Sequence, residues 1–222
     1  MTDSPSLVQP IVLLVDKNDP AGHSDSILAV AIASVCAYTN GLEHGADDGS
    51  WKTWLSGRFT KSVRRADAKT FAKIAGDPEL PADGAAWIGA ARAMAYAPTT
   101  YEDMPKKLSR LQVSGTDLPA YDPTPQSRQR PGDPVIVLNN ALGMSTGKAA
   151  AQAAHALFAW HLNRGNPDPD IASLHLLSAG LINASESEFE QLKALAAGPV
   201  IVDSGLTEIE PNTATAFVIE RP

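Results

Sequence analysis

The sequence predicts an α/β protein made of two tandem three-layer α/β units, each a mixed, partly parallel sheet with helices packed on it. Three observations point there. Each half opens on a short β-branched run beside a proline, QPIVLLVDKND from Gln9 and DPVIVLNNALG from Asp133. Each run is followed by a loop, an alanine-rich helical stretch and then a further strand–turn–helix pattern. A stretch rich in proline, serine and glycine, residues 114–133, separates the two halves.

The opening runs lack polar alternation, as expected of strands buried on both faces. In the first half the next segment, DSILAVAIASVCAYTNG, predicts a helix with Asp25 as N-cap and Gly41 as its stop. RFTKSVRRADAKTFAKIAG, from Arg58, reads as strand, turn and helix. GAAWIGAARAMAYAP and a basic amphipathic tail, YEDMPKKLSRLQV, close this unit. In the second half TGKAAAQAAHALFAWHLNRG predicts a helix capped at Ser145 or Thr146 and stopped at Gly165. LHLLSAGLINASESEFEQLKALAAG, from Leu174, reads as strand and helix, with Ser185 and Glu188 spaced as a capping box. PVIVDSGLTEI and TATAFVIE then read as two strands around a turn. The expected division is residues 1–113, a linker over 114–133, and residues 134–222.

Composition narrows the function. The 222 residues carry 18 Lys+Arg against 25 Asp+Glu, a net charge of −7. The imbalance is concentrated in residues 134–222, with 4 basic and 9 acidic groups. A dedicated nucleic-acid binder usually shows a basic excess. One cysteine, Cys36, excludes an internal disulfide framework and fits a reducing compartment. The longest apolar run, Ile27 to Tyr38, is shorter than the ~20 residues of a spanning helix. The polar start lacks the basic region of a signal peptide, so the expectation is a cytoplasmic protein with no membrane partner.

The most informative stretch is LGMSTGKAAAQAAHA, Leu142 to Ala156. Gly143 and Gly147 frame a loop that ends on a helix N-terminus, and Lys148 sits in the first turn. A lysine there opposes the helix dipole unless an anion is near, which suggests a phosphate or carbonyl-oxygen site. Gln152 and His155 follow on the same helix face as Lys148. A nucleotide-binding P-loop is excluded, because three residues rather than four separate the glycines and Ala149 follows the lysine. The bland alternative is a solvated lysine and a structural histidine. The second stretch is DSGLTEIEPNTATAFVI, where Asp203 ends an apolar strand ahead of a Ser204-Gly205 turn. An acid there serves equally as a catalytic group or as a turn former.

In this order the two stretches resemble the type 2 peptidyl-tRNA hydrolase family, whose signatures are D-L-x-M-x-x-G-K-x-A-A-Q-x-x-H-A and D-A-G-R-T-Q-I-x-P-G-x-x-T. The likeness covers residues 134–221. It implies hydrolysis of the ester joining peptide to tRNA, without a metal or other cofactor. It further implies Lys148, Asp203 and Thr207 as catalytic residues, and Gly147, Gln152 and His155 as substrate-binding residues. Lys148 would hold phosphate or a developing oxyanion, and Asp203 would orient or deprotonate the attacking water. Gln152 and Thr207 would position that water or the carbonyl. His155, or Lys148 in turn, would serve the leaving hydroxyl.

The departures from that pattern mostly remove positive charge. Asn139 stands for an arginine, Ala141 for an acid, Thr146 for a lysine, Leu206 for an arginine and Glu208 for a glutamine. Fewer phosphate contacts imply weaker tRNA binding. The first half resembles the same fold more weakly. Aligning Gly22 with Gly143 puts Ile27, Ala31 and Ser34 at the positions of Lys148, Gln152 and His155, so this half reads as a non-catalytic copy. Its basic residues Lys61, Arg64, Arg65, Lys69, Lys73, Lys106, Lys107 and Arg110 form either a patch or ordinary solvated faces. Trp51, Trp54, Trp87 and Trp160 read as core and sheet-edge packing. The expected assembly is a pseudo-dimer within one chain or a homodimer. The rival functional reading is a diverged, inactive module that binds a nucleotide, a small ligand or a protein. A third reading is an enzyme acting on a smaller substrate than tRNA.

Overall fold

The computed structural model describes residues 6–43, 49–120, 130–165, 179–205 and 208–222. Two four-stranded mixed sheets carry the fold. The first contains β1 (Val8–Leu14), β2 (Thr60–Ala66), β3 (Gly84–Ile88) and β4 (Ala91–Ala95), in the order β2-β1-β4-β3. The second contains β5 (Pro134–Asn139), β6 (Gly180–Ala184), β7 (Ile201–Asp203) and β8 (Thr213–Glu220), in the order β6-β5-β8-β7. The pairing senses match strand for strand: parallel for β1–β2 and β5–β6, antiparallel for the remaining pairs. The chain is thus two tandem α/β units.

Each central strand is buried on both faces, as its unbroken apolar run requires. Ile11 and Leu13 of β1 face helix α1 (His23–Glu43), while Val8 and Val12 meet Phe71 and Ile74 of α3 (Ala68–Ala75). A short helix α2 (Ser50–Ser56) brings Trp51 and Trp54 to the α1 side, and a single turn α4 (Lys106–Ser109) closes the α3 side. In the second unit Ile136 and Leu138 face α5 (Thr146–Asn163), while Val137 and Phe217 meet Phe189 of α6 (Glu186–Lys193). Each sheet is therefore the middle of three layers. The two alanine-rich helices, α1 and α5, pack on each other between the sheets and share one hydrophobic core. Small side chains allow that approach. Helix α1 also lies close on its own sheet, where a Cβ at Gly84 of β3 would lie 2.2 Å from the Ala37 amide nitrogen.

Several local expectations need correction. Helix α1 begins at His23, so Asp25 lies inside the first turn rather than capping it. The helix also runs through Gly41 to Glu43. Gly41 is there for space: a Cβ would come within 3.0 Å of the Trp51 indole nitrogen. The stretch His23–Leu42 is long and apolar enough to cross a membrane, but most of it is buried inside the protein, as befits a core helix. The strand from Leu174 is described only from Ala179, and the region before it lies outside the described residues. The capping box at Ser185 and Glu188 is present, and Ser145 caps α5 by accepting from the Lys148 amide.

The basic residues of the first half do not form one patch. Arg64 is buried and donates to the carbonyls of Leu108, Ser109 and Leu111 at the end of α4. Arg65 donates to Gly115 and Gln112, and Lys107 pairs with Asp77. Lys61 is also buried, against the second unit. Lys69, Lys73, Lys106 and Arg110 are exposed. Trp51, Trp54 and Trp160 are core residues, whereas Trp87 lies on edge strand β3 and is 58% exposed.

Candidate active site

The site lies where the first turns of α5 meet the end of β7. Lys148 Nζ donates to Asp203 Oδ2 at 2.5 Å, and Gln152 Nε2 donates to the same oxygen at 2.7 Å. Their spacing of one helical turn places both donors over one carboxylate. Both charges are well enclosed, with the Lys148 and Asp203 side chains 12% and 6% exposed.

The turn after β7 fixes the other carboxylate oxygen. Gly205 N donates to Asp203 Oδ1 at 2.8 Å, and Asn212 N donates to the Asp203 carbonyl. Gly205 has φ +73°, and a Cβ there would strike Pro211 at 2.7 Å, so the turn needs glycine. Burial pushes the Asp203 carboxyl up, but the Lys148 hydrogen bond, the Gly205 amide, the Lys148 charge and Gln152 together outweigh it. The net effect holds the group below the usual carboxylate range. Asp203 is consequently an ionised acceptor at neutral pH.

A β-bulge completes the arrangement. Ile201 pairs with Ala216 but Val202 pairs with Ala214, leaving Thr215 as an extra residue on β8. By simple alternation Thr215 would share the face of Phe217. The bulge turns it toward α5 instead, where its hydroxyl donates to Gln152 Oε1 at 2.8 Å. Gln152 is therefore held at both ends of its amide.

The N-terminus of α5 is occupied by groups of the chain itself. Gly147 N donates to the Thr116 carbonyl, and Leu118 N donates to the Thr146 hydroxyl, which also lies 2.9 Å from His23 Nδ1. Thr116, expected in a linker, is 3% exposed. On the other side Glu208 accepts from Ser145 N and Ser145 Oγ, at 2.9 and 2.7 Å.

Of the residues singled out in the sequence, Lys148, Gln152 and Asp203 come together. Gly147 faces Thr116. His155 is turned away from the carboxylate toward Lys61, with its Nδ1 3.3 Å from Lys61 Nζ. Burial and the charges of Lys61 and Lys148 push the His155 imidazole well below its ordinary value, so it is neutral. Thr207 lies outside the described residues. Thr215 was missed, because a buried threonine in an alternating strand gives no signal until the bulge is seen. Among the described residues, the aligned positions of the first half carry no such cluster: Ile27 and Ala31 are core residues of α1, and Ser34 bonds with Gln9.

Residues 133–221 match the family model for peptidyl-tRNA hydrolase PTH2, and the match does not extend into the first half. No curated protein and no solved structure matches the chain. The family match, the four-stranded mixed sheet and the Lys148–Gln152–Asp203 cluster coincide in the same segment, so the second half of this chain is a PTH2-like domain.

Proposed function

We propose that the second half hydrolyses the ester bond of a peptidyl-tRNA, acting in the cytoplasm, with the first half as a non-catalytic partner that makes the chain a pseudo-dimer. The observation that carries this reading is the convergence of Lys148 and Gln152 on Asp203 inside the family-matched segment. The Lys148 ammonium is suited to stabilise the oxyanion that develops as water attacks the ester carbonyl. Asp203 is a weak base because its carboxyl is held low, so its role is to orient Lys148 and a water rather than to remove a proton outright. Gln152, fixed by Thr215, positions the carboxylate. Neutral His155, with its Nδ1 3.3 Å from Lys61 Nζ, is given no step in this reaction.

The test is cleavage of a peptidyl-tRNA analogue by the purified full chain. Lys148→Ala and Asp203→Ala should each lower turnover at least ~100-fold, the scale of losing an oxyanion donor. Turnover unchanged in both folded variants, or absent from the parent protein, would remove the reading.

A second reading is a binding module. It is favoured by the Thr116 carbonyl on Gly147 N, which covers one backbone donor at the helix start. Binding of tRNA without any cleavage would select it.

A further inference from the structure

We propose that Glu208 is a specificity-determining residue that holds a fixed negative charge at the mouth of the site and weakens the binding of phosphate-bearing substrates. This deepens the reading above, since it concerns which substrates the same site accepts.

The geometry is specific. Both carboxylate oxygens of Glu208 are engaged by Ser145, one by its backbone amide and one by its hydroxyl. Ser145 is the N-cap of α5, and its hydroxyl also accepts from the Lys148 amide. Glu208 is thus joined through a single side chain to the residue that carries the catalytic ammonium. It spans 63 positions of sequence to do so, which ties Glu208 to the start of α5.

The consequence is electrostatic. An entering phosphate would meet an acceptor already using the Ser145 donors, and an acceptor gives it nothing to bond. Lys148 cannot compensate, because its charge is matched by Asp203 at 2.5 Å. Lys148, Asp203 and Glu208 together leave this corner at −1, in a half that is already acidic. Like charges at close range cost affinity and slow encounter. Glu208 therefore biases the site toward esters with little negative charge near the scissile bond, and makes any tRNA complex weaker and less salt-dependent than it would be without this charge.

The experiment compares the full chain with Glu208→Gln, which keeps the shape and a carbonyl acceptor but removes the charge. Glu208→Ala is the second variant, and Glu210→Gln is the control, since Glu210 is an exposed acid two residues away. Binding of deacylated tRNA is measured across a salt series, and the Ser145 amide is followed by NMR during titration with inorganic phosphate. Both Glu208 variants should bind tRNA roughly 3–10-fold more tightly at low salt, with a log–log salt slope steeper by just under one. The Ser145 amide should respond to phosphate only in those variants, and Glu210→Gln should change tRNA affinity less than ~2-fold. Unchanged affinity in both Glu208 variants overturns the proposal. So does an equal gain from Glu210→Gln, which would trace the effect to net charge alone. These binding results stand apart from the cleavage assay, so a parent protein without turnover sinks the proposed reaction and leaves this comparison intact.

Discussion

Lys61 of the first unit and His155 of the second lie 3.3 Å apart, nitrogen to nitrogen, across the seam between the two halves. Lys61 is buried among aromatic rings, with its amine 3.5 Å from the centre of Phe59, 4.6 Å from Trp54 and 4.8 Å from Phe158. Burial pushes the amine well below the ordinary lysine value. The ring faces return part of the lost hydration as cation–π attraction. The unfolded chain binds a proton on each of these residues more readily than the folded one. Stability from this pair therefore falls as pH drops below about 10 for Lys61, and again below about 6.5 for His155. Lys61→Met should fit the same ring cluster and raise stability at pH 7 by about 1–3 kcal/mol. Urea unfolding from pH 7 to 10 checks this: the parent's stability should rise as pH approaches the ordinary lysine value, and the variant should lose most of that rise.

The two members of the candidate-site ion pair should differ in their structural cost. Asp203→Asn leaves the Lys148 ammonium enclosed without its anion, and a loss of about 3 kcal/mol is expected. Lys148→Ala leaves Asp203 still held by Gln152 and Gly205, so about half that loss is expected. Loss of the lysine should also raise the Asp203 carboxyl. In the parent, the stability tied to Asp203 is complete above its unfolded value near 3.8 and is lost as pH falls through the lower folded value. Carbonyl-carbon NMR titration of Asp203 in the two proteins, beside denaturant unfolding, measures both effects.

Thr215→Val should test the bulge. The shape is nearly kept, but Gln152 Oε1 loses its donor in a buried site, at a cost of about 1–3 kcal/mol. Gln152 would then no longer be fixed, and kcat for ester cleavage should fall several-fold with KM little changed. A drop in thermal stability with kcat intact would separate packing from positioning.

Gly205→Ala places a methyl against Pro211 in a backbone region unfavourable to alanine. A loss of about 2–4 kcal/mol is expected, with Asp203 released from its turn. Thermal unfolding reads the first effect, and the loss of cleavage activity reads the second.

Much of this was legible in the sequence, for identifiable reasons. Strand and helix order followed from the apolar runs beginning near Gln9 and Asp133, and the capping box at Ser185 and Glu188 is a local motif that needs no tertiary partner. The shared face of Lys148 and Gln152 followed from their spacing of one helical turn, whereas their meeting with Asp203 was implied only by the resemblance to the peptidyl-tRNA hydrolase family. What stayed hidden depended on long-range geometry. Thr215 reaches Gln152 only because of a register shift, which no alternation pattern encodes. Lys61 looked like one more surface cation, yet the packing of β2 on α5 encloses it. Thr116 sat in a stretch with the composition of a tether, but its carbonyl found a donor at the start of α5. Asp25 and Gly41 looked like helix boundaries because local rules cannot see that α1 is stabilised along its length by α5 and a sheet.

Because α1 and α5 press together between the sheets, either half produced by itself would present to water a broad alanine-rich surface made for contact with the other. The two lobes are bound to inherit changes jointly: a bulkier side chain on one central helix calls for a smaller one opposite, even where only one lobe performs chemistry. On the proposed reading, the non-catalytic lobe is thereby constrained in its shape by its partner.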